Sequence, residues 1–600
     1  MPKPAHARDE HRPARPPTTL EDQVQHRERE EGAAVLLRTL LAVLACAALL
    51  TGSAQPQSEP AYLSYLVVTA GTTPAELRRA EAEVERAGGR VGARYPEFGV
   101  LTAYSAAPGF ADELRRRAPD TLVGATRTRP MAPPTLPDGS ADGAPIAHVD
   151  SPPGPLPALG SFDAAQPAAG AGADPAPGPA APTSPTLPTD SAPSAASADS
   201  DEVALVPDPR EAGLWNIAMV GGGRPPADPE ALAATTVAVL DSGVDDIHPD
   251  LRGVVDPALS VSCGEGWADT SPGAWRPDPR LLDSGHGTHV AGTIAARADG
   301  KGVVGVAPGV RVAAVRLLGS AGQYYAENIV CGFAWVARHH IPVVNDSYFA
   351  DPWKYNCPHD PDQAAVIAAV GRAVRFAQDS GALVIASAGN DGQDLRAARL
   401  DDRSPNDRLP GTEVTPRLLG TECVRLPGEL PGVVRVAAVD RLGRATAYSN
   451  HGMDAVEVAA PGGTPGAGPD GAIVSAWPGG RWAALAGTSM SAAHVSAAAA
   501  LQAAAHPQAD PAERRAMLLE AARPPSCAKA ASSTPAGTRP APAAPPQAPP
   551  QAPPPGAADP AGTPTSTPTD GASERADGAP AVRTGCLLDA SYGRGVVRVG

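Results

Sequence analysis

An α/β fold is predicted for the larger part of this 600-residue chain: a mostly parallel sheet with helices on both faces, preceded by a small α+β unit and Pro/Ala-rich linkers. Three observations predict it. Between residues 205 and 528, strand-like apolar runs (Thr236–Leu240, Val310–Leu317, Ile341–Asn345, Ala382–Ala386, Gly432–Val439) alternate with helical patterns, the rhythm of βα units. Residues 61–130 read as strand, helix, two strands, helix, strand. From 131 to 204, and again from 529 to 582, Pro, Ala, Ser and Asp replace bulky apolar residues. Such stretches bury too little surface to offset the entropy of ordering, so both are expected to be disordered, the second as an insertion within the larger domain.

Composition excludes some functions. Pro 70 and Gly 62 approach a low-complexity share, while 42% apolar residues leave material for packed cores. The formal charge of −16 argues against nucleic-acid or general phosphate binding, which needs a basic face.

In chain order, residues 1–54 read as a polar leader followed by a signal peptide. The apolar run Leu40–Leu50 is too short to span a bilayer, and Thr51-Gly52-Ser53-Ala54 offers small residues for cleavage. The polar segment before it is long for a signal, which points to a true start near Val35. Secretion is the expected localisation, with cell-wall or membrane association as a variant. In the small unit, Tyr62–Thr69 is a strand and Thr73–Ala87 a helix with Pro74 at its start and Gly88-Gly89 at its end. Strands at Arg90–Arg94 and Val100–Tyr104, a helix at Gly109–Arg117 and a strand at Thr121–Thr128 complete the ferredoxin-like order.

Four segments of the larger domain carry chemistry. Val237-Ala238-Val239-Leu240-Asp241-Ser242-Gly243 delivers a carboxylate at a strand's C-terminal end, where α/β sheets place their sites. By itself such an Asp more often caps a turn. Gly285-His286-Gly287-Thr288-His289 opens a small-residue helix; with no Glu between the two histidines and no third ligand nearby, His289 reads as a packed helix residue, not a metal ligand. Ala386-Ser387-Ala388-Gly389-Asn390 ends a strand in a turn tipped by an amide. Gly487-Thr488-Ser489-Met490 puts a Ser at the start of an Ala-rich helix, where an N-cap is the ordinary explanation.

Each ordinary explanation suffices alone, but the order Asp, His, Asn, Ser does not arise from four unrelated turns. The chain from 205 onward resembles the subtilisin family through Asp241-Ser242-Gly243-Val244-Asp245, His286-Gly287-Thr288-His289, Ala388-Gly389-Asn390 and Gly487-Thr488-Ser489-Met490. Supporting pieces are His248-Pro249-Asp250-Leu251, Gly305-Val306-Ala307-Pro308, Tyr448-Ser449-Asn450 and Ala459-Ala460-Pro461-Gly462. The resemblance implies a subtilisin-like serine endopeptidase acting on polypeptides without a catalytic cofactor. Ser489 would be the nucleophile, His286 the general base and acid, Asp241 its orienting carboxylate, and Asn390 an oxyanion donor beside the Ser489 N–H. Ser347, Tyr348 and Phe349 on one side, with Ser387, Ala388 and Gly389 on the other, would bind substrate. The 61–130 unit resembles the propeptide that folds and inhibits such enzymes, its tail Arg127–Met131 approaching the cleft. A monomer is expected.

The sequence departs from the family pattern in three places. More than 70 residues separate the propeptide-like tail from the catalytic start near Asp208. The substrate strand, usually Asn-x-Ser-Leu-Gly, reads Asn345-Asp346-Ser347-Tyr348-Phe349, so two aromatics should narrow or redirect the main pocket. Ala493 stands where Pro commonly precedes His494, with only a local helix effect expected. Beyond the signal, Cys263, Cys331, Cys357, Cys423, Cys527 and Cys586 allow fifteen pairings, with Cys527 and Cys586 flanking the second insertion. Ser591-Tyr592-Gly593-Arg594-Gly595-Val596-Val597 resembles the family's closing segment. The resemblance also implies structural calcium near Asp250 and Asp299, whose oxygens suit a hard ion. The alternatives are a dedicated processing protease of narrow specificity and an inactive surface binding protein that kept the fold.

Overall fold

The computed structural model describes residues 61–131, 204–206, 211–224, 228–281, 284–409, 411–523 and 592–599. The expectations for the leader and signal, for most of both linkers and for Cys527 and Cys586 lie outside the described residues.

The small unit contains strands β1 (Leu63–Val68), β2 (Arg90–Tyr95), β3 (Val100–Ser105) and β4 (Leu122–Ala125), with helices α1 (Pro74–Arg86) and α2 (Phe110–Arg117). All pairings are antiparallel, in the order β2-β3-β1-β4. Thr73 starts α1 through a reciprocal capping box with Glu76, and Pro74 supplies a preset φ at a position needing no N–H. The period-2 alternation of β1 sends side chains both ways. Tyr65 and Val67 join Leu77, Val84, Phe110 and Leu114 in the unit's own core. Leu66 and Val68 face away and join a second core that belongs to the larger domain.

The larger domain is built on a nine-stranded sheet. Its strands are β6 (Thr236–Asp241), β7 (Val261–Ser262), β8 (Arg311–Arg316), β9 (Val343–Asp346), β10 (Leu383–Ser387), β13 (Val434–Val439), β14 (Val458–Pro461), β17 (Ala522–Arg523) and β18 (Val596–Val597). They run in the order β17-β18-β14-β13-β10-β9-β6-β8-β7, and every pairing but β17–β18 is parallel. The strand runs near 236, 310, 341, 382 and 432 are all present, with ends shifted by one or two residues. The segment after the second insertion returns to the sheet as β18, beside β14. Two short additions lie outside the sheet: β11 (Arg399–Asp401) with β12 (Arg417–Leu419), and β5 (Ala204–Val206) with the hairpin β15 (Ile473–Trp477) and β16 (Arg481–Leu485). Strand β5 begins at Ala204, the last residue of the expected linker.

Both faces of the sheet are covered, so its central strands are mostly apolar, with the polar residues Asp241, Asn345, Asp346 and Ser387 gathered toward their carboxyl ends. In β6, Val237 and Val239 face the core shared with α5 (His286–Ala295), α8 (Thr488–Ala505) and α9 (Pro511–Ala521). Ala238 and Leu240 face α6 (Ala326–Arg338) and α7 (Pro361–Asp379). Two short helices, α3 (Trp215–Val220) and α4 (Pro229–Ala233), precede β6. Helix α8 continues unbroken through Ala493, and every residue from Thr488 to Ala500 is buried.

The outer face of the four-stranded sheet rests on α6 and α7. Leu66, Val68, Tyr95, Phe98 and Val100 share a core with Ile329, Phe333, Val366 and Val370. At Gly124 of β4 a Cβ would lie 2.2 Å from the Asp362 carbonyl, so only glycine permits this approach. A buried ion pair pins the contact. Arg127 donates to Glu327 Oε1 at 2.6 Å and lies over the Tyr325 ring, while Ser64 Oγ donates to the same oxygen at 2.9 Å.

Disulfides join Cys263 to Cys331 and Cys357 to Cys423, with separations of 68 and 66 residues. Closing a loop of that length removes about 4 kcal/mol of entropy from the unfolded chain. The double change Cys263→Ser/Cys331→Ser, made in a Ser489→Ala background, is therefore expected to lower the urea midpoint. An unchanged midpoint would show that the bridge does not constrain the unfolded chain.

Candidate active site

The carboxyl ends of β6, β9 and β10 lie side by side in parallel register, with Leu240 opposite Asp346 and Asp346 opposite Ala386. Parallel pairing therefore brings three chain segments, far apart in sequence, to one edge.

Asp241 ends β6 fully buried, and the Ser242 N–H donates to its Oδ1 at 2.7 Å. Helix α5 begins at the same edge. Ser242 Oγ accepts from the Gly287 N–H at 2.9 Å and donates to the Ser284 carbonyl at 2.8 Å, fastening the strand end to the helix start. A Cβ on Gly287 would lie 2.5 Å from the Gly243 carbonyl, so a glycine is required there for the helix to approach. His286, the first residue of α5, places Nδ1 2.8 and 3.0 Å from the two Asp241 oxygens. His289, three residues on, is buried with Nε2 directed at the Ile473 and Ala483 carbonyls. Burial pushes its pKa down to about 3, so it is a neutral packed residue.

Ser489 is the second residue of α8, where unpaired helical N–H groups favour negative charge. Its Oγ donates to the Ser347 carbonyl at 3.2 Å, and Ser347 Oγ donates to the Ser489 carbonyl at the same distance. Asn390 is held through its carbonyl oxygen, which accepts from the Thr488 N–H at 2.9 Å and the Thr488 hydroxyl at 2.8 Å. This commits Oδ1 to the helix start and turns the amide nitrogen the other way. Asn450 shapes the turn around it: its Nδ2 donates to the Ala388 carbonyl and its Oδ1 accepts from the Asp391 and Gln393 N–H groups.

The expected substrate segments lie beside this group. Ser387 ends β10, Ala388 and Gly389 follow it, and the Gly389 N–H donates to Thr488 Oγ1 at 3.1 Å. Tyr348 does not line an open pocket: it is buried, stacked 5.1 Å from Tyr324, and donates to Asp346 Oδ1 at 2.9 Å. Phe349 lies under the Arg425 guanidinium at 4.7 Å. Of the two aromatics, Phe349 is thus the one that narrows the slot, with an arginine above it.

Asp250 and Asp299 are each engaged by protein donors. Asp250 Oδ2 accepts from the Val303 N–H at 2.9 Å and from Trp482 Nε1 at 2.7 Å. Asp299 Oδ1 accepts from the Lys301 N–H, and its Oδ2 faces Arg297 at 3.7 Å. Among the described residues, one trio of side-chain donors is close enough for a common ion, Cys357, His359 and Cys423, and both cysteines are in a disulfide.

A buried carboxylate, a part-exposed imidazole bonded to it, a helix-start hydroxyl and an anchored amide, gathered at the carboxyl edge of one parallel sheet, are the kinds of group a serine hydrolase on an α/β scaffold uses. The subtilase family model matches residues 233–563, more than half of the chain. The chain belongs to the subtilase family. It is 30% identical over 328 residues to fervidolysin of Fervidobacterium pennivorans, an alignment spanning 51% of this chain and 40% of that protein. It is 32% identical to subtilisin E of Bacillus subtilis over 45% of this chain and 56% of that protein. The chain thus spans about half the length of these curated relatives. Among solved structures, the epidermin leader peptide processing serine protease of Staphylococcus aureus superposes with a TM-score of 0.50 at 19% identity, covering 76% of this chain and 92% of that one, which shows a shared fold.

Sequence reading missed Asp346, Tyr324, Asp391, Lys354 and Arg425. Asp346 offered a signal, a charged residue inside a buried strand end, and Asp391 directly follows Asn390. Nothing local marked the others. Asp346 is fully buried with one oxygen lacking a partner, and burial, aided by the Asp241 charge, pushes its pKa up to about 8. A carboxyl whose folded pKa is raised contributes stability below its ordinary value of 3.8 and loses it as pH rises through the folded pKa. In a Ser489→Ala background, Asp346→Asn is therefore expected to be more stable than its parent at pH 8, with the advantage shrinking toward pH 4. Urea midpoints across that range check it, and a pH-independent difference would contradict it.

Proposed function

We propose that this protein is a secreted serine endopeptidase made as a self-inhibited precursor. The observation that carries the reading is the convergence of Asp241, His286, Ser489 and Asn390 at one sheet edge, with the Asp241–His286 bond formed and the Asn390 oxygen committed to the start of the Ser489 helix. In the proposed reaction Ser489 Oγ leaves the Ser347 carbonyl, gives its proton to His286 Nε2 and attacks the scissile carbonyl. Asp241 holds the Nδ1–H tautomer and stabilises the imidazolium without taking the proton. The Asn390 amide and the Ser489 N–H receive the oxyanion, a contribution of about 10²–10³ in turnover for such an Asn in subtilisin. His286 then returns the proton to the leaving amine, and water completes deacylation.

The 61–131 unit is the inhibitor in this reading. Its sheet docks on α6 and α7, and its tail runs along the larger domain, where the Thr128 N–H donates to Asp407 Oδ2 at 2.8 Å. Two disulfides among the described residues suit an oxidising, extracellular location. No ion is assigned a role. A narrow processing role is the second reading, favoured by the filled slot between Phe349 and Gly389.

The test is secretion of the wild type and of Ser489→Ala from a heterologous host, with intact-mass spectrometry and fluorophosphonate labelling. Wild type is expected to take the label at Ser489 and to lose residues up to a point within 129–210, while the variant stays long. Equal processing of both would sink self-maturation, and absence of label would favour a binding protein. The buried pair predicts a second outcome. Removing one partner of such a pair costs about 3–5 kcal/mol because the other charge stays buried. Arg127→Ala is expected to shorten the latent period before activity appears by about tenfold or more. An unchanged latent period would remove the pair from the inhibitory contact.

A further inference from the structure

The slot between the two substrate segments holds a cation. Arg425 is 4% exposed, its guanidinium lies 4.7 Å from the Phe349 ring centre, and its Cζ is 3.2 Å from where a Gly389 Cβ would stand. Phe349 and Gly389 belong to the segments that flank Ser489, so the guanidinium sits where a side chain entering between them would end.

Among the described residues, Arg425 has no acceptor within hydrogen-bond distance of its guanidinium. Its Nε is buried without a hydrogen-bond partner, and its ion pair is a long one, 3.9 Å to Asp391 Oδ2. Asp391 shares its charge with two closer cations, Lys354 at 2.6 Å and Arg403 at 2.8 Å, both on its other oxygen, Oδ1. Burial alone would raise the Asp391 pKa, but these three cations hold it below the ordinary value. The other carboxyls that feel Arg425 are committed elsewhere. Glu429 pairs with Arg399 at 2.7 Å, and Asp351 accepts from the Tyr324 N–H and from Asn406. A buried guanidinium short of acceptors costs free energy until one arrives, and a carboxylate is its best geometric and electrostatic match.

We propose that Arg425 makes this cleft selective for peptides bearing an acidic side chain on the residue whose carbonyl Ser489 attacks. The inference rests on the protease reading above and names its substrate class. Phe349 shortens the slot against large aromatic side chains, and the guanidinium repels Lys and Arg. The chain's own linker fits this rule. Residues 132–205, which a self-processing precursor presents to the cleft, contain nine Asp or Glu and no Lys or Arg.

The experiment compares kcat/KM on peptides of one fixed sequence with Glu, Asp, Gln, Ala, Phe or Lys at that residue. It uses the mature full enzyme, with active sites counted by fluorophosphonate label. Glu is expected to exceed its neutral isostere Gln by about 10–100-fold, the effect of one buried charge-assisted hydrogen bond. Arg425→Gln is expected to bring the Glu:Gln ratio to about one and Arg425→Lys to keep part of it. If either variant fails to fold, the wild-type ratio still decides. Phe or Lys preferred, or Glu no better than Gln, in an enzyme that takes the label overturns the proposal and leaves the protease reading standing. No label and no cleavage of any peptide overturns both.

Discussion

The site depends on one constraint: α8 passes through the middle of the domain with every residue from Thr488 to Ala500 buried. A helix buried on all sides must be slim where it crosses the strands, which is why ten of its first sixteen residues could not be large without pushing apart β9, β10 and β13. Its small residues leave little contact area to fix its position along its axis, so polar ties do that instead. Ser496 donates to Asn345 Oδ1 at 2.9 Å, His494 bonds Asn216 at 2.9 Å, and Asn390 clamps Thr488. Each tie runs to a different element, and together they fix where the hydroxyl of Ser489 stands. Buried polar groups are costly when unpaired, so the same ties resist slippage of the helix by a turn.

The second dependence is the two-sided use of the small unit's sheet. A free antiparallel sheet of this kind would show water a polar face, yet here the residues alternating with Tyr65 and Val67 are Leu66 and Val68. Undocked, that face would be an exposed apolar patch. Docked on α6 and α7, it leaves the Arg127–Glu327 pair buried beside the Ser64 hydroxyl, so the pair acts as a position lock and not as a source of raw affinity.

Much of this was legible in the sequence because it is local. A strand end with Asp241, a helix start with His286, a turn with Asn390 and a helix start with Ser489 each leave a short signature, and parallel βα alternation says that such ends share one edge. Both orders of elements, in the small unit and the large, follow from periodicity and Gly/Pro punctuation. The aromatic pair Tyr348-Phe349 was legible as an obstruction but not as two different things. Which of two neighbours turns inward depends on what packs above, and Tyr324 and Arg425 come from elsewhere in the chain.

Asp346 and Asp391 make the limit concrete. Both are buried aspartates next to a residue of the site, and no property of the sequence around them tells them apart. Burial pushes both up; for Asp346 the Asp241 charge adds to that push, whereas Asp391 is held down because Arg425, Lys354 and Arg403 converge on it. The sign of the shift is set by partners supplied from distant loops. Those loops are in turn fixed by the Cys357–Cys423 bridge, whose second cysteine stands two residues before Arg425. The groups proposed to perform the reaction sit on strand and helix ends that the sheet register positions. The groups proposed to choose the substrate sit on loops that a covalent bond positions. Register leaves a periodic trace in sequence and a disulfide pairing does not, so the first set of groups could be placed from the sequence and the second could not.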